Sequence, residues 1–258
     1  MGIDFHNEKN KHSYVTRKVD DTWLSAITAL IQGRAINKAV DIGTGGGIYA
    51  KALADLGIPS ITGIDFSEVM LDGAEQYCRL YEQIEFKLGN AYSTGLSSAY
   101  ADLVLERALI HHLDNLAACF SEVYRILQPE GMLLVQDRTP EDCLIQGDHH
   151  HIRGYLFSLF PHLGEIETKR RYASHTVKAA LGNAGFHAIK EIKLWEVRKT
   201  YTNKEELLND IKSRNGRSIL HELSDQQVSQ FADHVNQLIQ EDGLIVEKDR
   251  WTIWAAEK

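Results

Sequence analysis

The sequence predicts an α/β protein built on a mostly parallel sheet with helices on both faces. From Asp20 to about Leu156, short apolar runs alternate with longer amphipathic stretches, as successive βαβ units do. Leu103-Val104-Leu105 and Met132-Leu133-Leu134-Val135 are uninterrupted apolar runs, which suit strands buried on both faces. Ala39-Val40-Asp41-Ile42 runs straight into a cluster of glycines, where backbone without Cβ atoms can turn sharply or approach a ligand.

Each element has a local cause. Residues 20–32 read as a helix with Asp20 or Asp21 as N-cap and Gly33 as stop. Lys38–Ile42 is a strand, followed by a helix through Ala52 and Leu56 to Gly57. Ser60–Asp65 is the next strand, and Ser67 caps a helix whose Val69, Met70, Ala74 and Cys78 lie near one face. Ile84–Leu88 and Ala101–Glu106 are strands separated by a turn-rich loop at Ser93–Ser98. Leu116–Leu127 is a helix and Gly131–Asp137 a strand. Residues 138–172 show no clear period. Ser174–Ala184 is a helix stopped by Gly185, and residues 187–198 alternate as a strand. Residues 203–241 are helical, with a Ser224/Gln227 capping box and Val228, Phe231, Val235, Leu238 and Ile239 on one face. Trp251–Ala256 closes the chain as a strand.

At 258 residues the chain can bury a large core without disulfides or metals. Lys and Arg number 28 against 36 Asp and Glu, a net charge of −8, which argues against nucleic-acid binding. Cys78, Cys119 and Cys143 are odd in number and lack C-x-x-C spacing, so neither a disulfide framework nor a cysteine zinc site is expected. The start of the chain lacks the apolar core of a signal peptide, and no apolar run approaches membrane-spanning length. A cytoplasmic protein without a membrane partner is the expectation.

Asp41-Ile42-Gly43-Thr44-Gly45-Gly46-Gly47 is the most informative segment. Asp65 ends the following strand, 22 residues beyond Gly43, where a carboxylate can accept hydrogen bonds from both hydroxyls of a ribose. From Gly45 the string also fits a loose G-x-G-x-x-G/A, so an NAD(P)-dependent oxidoreductase is a second reading. Asp41 opposes it, because a carboxylate beside the loop repels a pyrophosphate. The same carboxylate suits a ligand carrying an ammonium and a sulfonium.

These residues resemble the class I S-adenosylmethionine-dependent methyltransferases. Asp41, Gly43, Gly45 and Gly47 match the family's acidic residue and G-x-G-x-G. Asp65 matches its ribose-binding acid, and Gly89-Asn90-Ala91 stands where G-D-A often lies beside the adenine. Asp102-Leu103-Val104, His111-His112-Leu113 and Leu127-Gln128-Pro129-Glu130-Gly131 follow in the family's order. The resemblance implies a Rossmann-like seven-stranded sheet with its last strand antiparallel, and one domain over 1–258. Its cofactor-binding core would span about 20–137, with cap insertions at about 138–172 and 199–246. It implies S-adenosylmethionine as cofactor, held by Tyr14, Arg17, Asp41, Gly43, Thr44, Gly45, Gly47, Asp65, Phe66, Asn90, Ala91, Glu106 and Arg107. Arg138 to Phe160 and Gly216–His221 resemble a bacterial small-molecule subgroup, to which no acceptor attaches.

Methyl transfer from a sulfonium is an in-line displacement, so alignment and water exclusion dominate. A base is needed only if the nucleophile carries a proton. His111, just after the fourth strand, is the candidate, although His111 and His112 can equally serve to start the next helix. Neither the Pro-Pro-aromatic signature of amine-directed DNA methyltransferases nor a Pro-Cys nucleophile is present, which disfavours nucleic-acid methylation, and the resemblance implies a small-molecule acceptor. His149-His150-His151 reads as a loop rimming a pocket, since adjacent histidines cannot all face one metal ion from a regular element. Residues 138–218 carry a net charge of +4 and the remainder −12. This basic, aromatic stretch is read either as an ordinary solvated face or as a binder of an acidic molecule, with His151, Arg153, Tyr155 and Arg217 as candidate substrate residues. A cofactor-binding protein without transfer activity is the non-enzymatic alternative.

Overall fold

The computed structural model describes residues 19–214, 217–240 and 243–258. They form two compact units. One, the sheet unit, takes the described residues up to Asp137, Tyr172–Leu194 and Thr252–Lys258. The other, the helical unit, takes Arg138–Arg171 and Trp195–Trp251.

The sheet unit follows the expected alternation. α1 (Asp21–Ile31) begins where the Asp20 carboxylate accepts the Thr22 backbone N–H at 2.7 Å, and it buries Trp23 and Ile27. β1 (Ala39–Ile42) is buried throughout, and α2 (Ile48–Asp55) follows its glycine turn. β2 (Ile61–Asp65) leads to α3 (Glu68–Cys78), which Ser67 caps by accepting the Met70 N–H. β3 (Ile84–Leu88) and β4 (Ala101–Arg107) precede α4 (Leu116–Ile126), capped by Asn115. β5 (Leu127–Asp137) begins earlier than the expected Gly131.

The helical unit overturns the expectation of an aperiodic 138–172. It contains α5 (Pro140–Cys143), α6 (Ile152–Leu159) and α7 (Pro161–Lys169). α6 packs its apolar side into a cluster with Leu163, Leu207, Ile219, Phe231 and Val235. Its entry depends on glycine. A Cβ on Gly154 would lie 2.2 Å from the Gly147 nitrogen, so only two bare backbones can cross there. α8 (Ser174–Asn183) returns to the sheet unit. The expected 203–241 helix is α9 (Lys204–Lys212), a 3-10 turn at Ser218–Glu222 and α10 (Asp225–Leu238). The last carries the Ser224/Gln227 capping box.

β6 (His187–Tyr201) and β7 (Ile245–Glu257) contribute residues to both units. The seven strands lie in the order β3-β2-β1-β4-β5-β7-β6. β1 pairs in parallel with β2 and β4, β2 with β3, and β4 with β5, whereas β7 runs antiparallel to β5. The strand order reverses between β1 and β4. In open α/β sheets, that switch point is where the carboxyl ends of the strands receive a ligand.

Candidate active site

The glycine turn after β1 is held by its own backbone. The Gly43 and Thr44 N–H groups both donate to the Ile64 carbonyl, at 2.8 and 3.0 Å, and the Gly47 N–H donates to Thr44 at 2.9 Å. Gly43, Gly45 and Gly47 all have positive φ (74°, 52° and 78°), which L side chains rarely adopt. At Gly43 a Cβ would also stand 2.9 Å from Leu109, and at Gly47 it would meet Cys78, Ala74 and Phe86 at 3.0–3.1 Å.

Two buried aspartates flank this turn. Asp41 Oδ2 accepts the Thr44 hydroxyl at 2.7 Å, and burial pushes the Asp41 carboxyl up to about 6 against the lowering effect of that bond. Asp65 closes β2. Its Oδ2 accepts the Gly45 N–H at 2.8 Å and its Oδ1 the Ser67 N–H at 3.0 Å. The Gly89 N–H donates to the Asp65 carbonyl at 2.9 Å, which sets Asn90 and Ala91 beside Asp65. Exposed Phe66 offers an apolar ring next to it.

The ends of β4 and β5 supply the other side. The Gln136 Oε1 accepts from Trp23 Nε1 at 2.8 Å and from Arg107 Nε at 3.1 Å, and the Arg107 guanidinium lies 4.1 Å from the Tyr49 ring centroid. The Asp137 carboxylate receives His111 three ways. His111 Nδ1 lies 2.8 and 3.1 Å from its two oxygens, and the His111 backbone N–H donates to Oδ2 at 3.2 Å. A carboxylate only accepts here, so Nδ1 carries a proton, and in the neutral ring Nε2 keeps its lone pair. The histidine side chain retains 11% of its exposure.

Several expected residues hold other positions. Glu106 is fully buried. Its Oε1 accepts the Cys119 thiol at 3.0 Å, so the carboxyl engages α4, and its Oε2 has no hydrogen-bond partner. Burial pushes this carboxyl up to about 7, and only the thiol opposes the shift. Asn90 Oδ1 already accepts the Tyr92 and Ser93 N–H groups at 2.8 and 3.0 Å. Both its lone pairs serve that turn, so the expected bond from an adenine amino group cannot go to this oxygen, and only Nδ2 remains to offer.

Arg217 likewise meets partners within the protein. Nη1 and Nη2 donate to the two Glu247 oxygens at 2.6 and 2.8 Å, and Nη2 also reaches Tyr201 Oη at 3.1 Å. Burial disfavours the Arg217 charge, but Glu247 outweighs it and raises its pKa. Both Nη atoms of this guanidinium are engaged in holding β7 to the segment after α9, while its Nε has no hydrogen-bond partner. Tyr155 packs partly buried against the α6 cluster, over Gly147. His151, Arg153, Tyr155 and Arg217 all belong to the helical unit, while the residues around the glycine turn and His111 belong to the sheet unit. Tyr14 and Arg17 lie outside the described residues. Sequence reasoning missed Asp137, Gln136, Trp23 and Tyr49. Only the position of Asp137 at the carboxyl end of a central strand could have flagged it.

The donor set fits S-adenosylmethionine. Two buried carboxylates flanking a glycine-rich turn suit a ribose diol and a cationic amino-acid end, and the Asp41 carboxylate beside the turn disfavours a pyrophosphate. Residues 40–135 match the methyltransferase domain family. The uncharacterized methyltransferase YcgJ of Bacillus subtilis is 28% identical over 151 residues, covering 56% of this chain and 58% of that protein. The ubiquinone biosynthesis O-methyltransferase of Methylococcus capsulatus is 36% identical over 101 residues, covering 36% and 40%. The chain thus spans about three-fifths or less of these two relatives. Among solved structures, phosphoethanolamine N-methyltransferase 2 of Haemonchus contortus, in complex with S-adenosyl-L-methionine, superposes with a TM-score of 0.61. It is 18% identical and the match covers 99% of this chain and 60% of that one, a likeness of fold. A seven-stranded sheet reversed at β1/β4, a glycine turn between two buried aspartates and the matched domain agree: over residues 40–135 the chain carries a methyltransferase domain of the class I S-adenosylmethionine-dependent kind.

Proposed function

We propose that this protein transfers a methyl group from S-adenosylmethionine to a protonated oxygen or nitrogen of a small molecule. The observation that carries the acceptor class is the His111–Asp137 pair at the carboxyl end of the central strands. An oriented imidazole serves acceptors that must lose a proton, such as a hydroxyl or an ammonium-derived amine.

When bound, S-adenosylmethionine supplies an electrophilic methyl on a sulfonium. On this reading the Gly43–Gly47 backbone and the Asp41 and Asp65 carboxylates hold its amino-acid and ribose portions, with Thr44 fixing Asp41. Phe66, Ala91 and the Asn90 amide nitrogen border the base, and Arg107 buttresses the turn through Tyr49 and Gln136. His111 Nε2 takes the acceptor's proton, and the Asp137 carboxylate steadies the resulting imidazolium. The buried, unbridged Cys78, Cys119 and Cys143 and the acidic net charge support a cytoplasmic enzyme that does not act on nucleic acid. Among the described residues, no helix is long and apolar enough to cross a membrane.

The test is transfer of labelled methyl from S-adenosylmethionine into a metabolite extract, comparing wild type with His111→Gln. Label entering product with wild type alone supports the reading. Equal product from both proteins removes His111 from the chemistry. Binding of S-adenosylhomocysteine with no transfer to any extract component would instead favour a non-catalytic binding protein.

A further inference from the structure

Two buried arginines of the helical unit stand in opposite circumstances. Arg217 is matched oxygen for nitrogen by Glu247. Arg153, in α6, makes one hydrogen bond, from Nη1 to Glu167 Oε1 at 3.2 Å. The next carboxylate, Asp249, stands 3.7 Å from its Nε, beyond hydrogen-bonding distance. Yet the Arg153 side chain is only 11% exposed. A guanidinium has five N–H donors, and at Arg153 most of them meet no protein acceptor.

Its neighbours do not resolve the shortage. Glu167 is shared with Arg170 and with Arg171, the latter at 2.8 Å, and Asp249 with Arg138 at 3.7 Å. Burial, followed by repulsion from Arg138, holds Arg153 below the usual arginine range, where Arg217 lies above it. His151, the residue before α6, adds a second unspent group. Its ring is 1% exposed, its Nδ1–H donates to the Lys248 carbonyl at 3.0 Å, and its Nε2 has no partner. The same Nδ1 is 3.9 Å from Asp249 Oδ1, so both unspent groups border one carboxylate.

We propose that the helical unit holds an anion-recognition site in which Arg153 receives a carboxylate or phosphate, while His151 Nε2 accepts a hydrogen bond from a donor on the same molecule. The anion site itself rests on Arg153 and His151. Guanidinium matches either oxyanion in a planar, two-bond geometry, and the lone pair on Nε2 selects for a ligand bearing its own hydroxyl or N–H.

Calorimetric titration of the full chain with 4-hydroxybenzoate, phenyl phosphate and uncharged 4-hydroxybenzamide tests this, with S-adenosylhomocysteine titrated in parallel. One of the two acids should bind wild type, and the amide at least tenfold more weakly. The preferred acid identifies the oxyanion. Arg153→Gln should weaken it tenfold or more, and Arg153→Lys, which keeps the charge and folds more readily, should recover part of that loss. Neither variant should change the S-adenosylhomocysteine affinity. Wild type that binds neither acid, or binds acid and amide alike, overturns the proposal, as do Arg153 variants that bind the acid like wild type. Failure of S-adenosylhomocysteine to bind wild type would instead strike the methyl-transfer reading, and the acid titrations would still judge the anion site.

Discussion

Glu106 offers a stability test whose size follows from its surroundings. Its carboxyl is 0% exposed, touches one weak donor in Cys119 and leaves Oε2 unbonded, so burial moves it from an ordinary 4.5 to about 7. Below about 4.5 the side chain is protonated in both folded and unfolded chains and imposes no pH dependence. Between 4.5 and 7 the unfolded chain ionises while the folded one does not, so stability falls as pH rises. Above 7 both forms are ionised and the folded protein carries the whole penalty. A displacement of that size corresponds to about 3 kcal/mol at roughly 1.4 kcal/mol per pKa unit, an upper bound because buried sites relax and admit water. Glu106→Gln removes the titration. Urea unfolding of the cofactor-free protein, followed by circular dichroism from pH 4.5 to 8, should show the variant gaining on wild type by up to this amount across the window. Any fixed cost of burying an amide cancels in the difference. Parallel stability profiles for the two proteins would refute the reasoning, since they would mean that Glu106 titrates alike folded and unfolded.

Other expectations follow from the same geometry. Asp41 sits near 6 without ligand, and a cationic ligand end should favour its ionised form, so S-adenosylmethionine affinity should fall roughly tenfold from pH 7.5 to pH 5. Asp41→Asn should flatten that dependence in a binding titration. Asp65→Ala removes the carboxylate that also ties Gly45 and Ser67, and should weaken S-adenosylhomocysteine by roughly 30-fold or more, read by calorimetry. His111→Gln should lower kcat by about 10²–10⁴ with KM little changed, and Asp137→Asn should share the loss by presenting an amide N–H to Nδ1. Gly154→Ala places a methyl 2.2 Å from the Gly147 nitrogen, so it should unfold the helical unit at lower urea than wild type, seen as early loss of helical signal.

The parts legible in the sequence are those with local causes. β4 and β5 announced themselves because strands buried on both faces carry uninterrupted apolar runs. Asp20, Ser67 and the Ser224/Gln227 box marked helix starts because their side chains accept backbone N–H groups a few residues away. Gly43, Gly45 and Gly47 were recognisable because their turn demands positive φ. α6 and α7 escaped notice because they are short, eight and nine residues, and meet at Phe160–Pro161, so no single period runs through the stretch.

The candidate site divides along the same line. Sequence by itself determined the order of strands and helices, the glycine turn and the acids Asp41 and Asp65 at strand ends, since each depends on periodicity or on residues close along the chain. Tertiary structure alone decided that Glu106 faces Cys119, that Asn90 spends its oxygen on its own turn, and that Asp137 aims His111. It also separated Arg217, neutralised by Glu247 from 30 residues away, from Arg153, left with unspent donors. Two arginines in one basic stretch look alike in sequence. Burial and the partner that reaches each guanidinium are non-local, and they decide which one supports the fold and which one awaits a ligand.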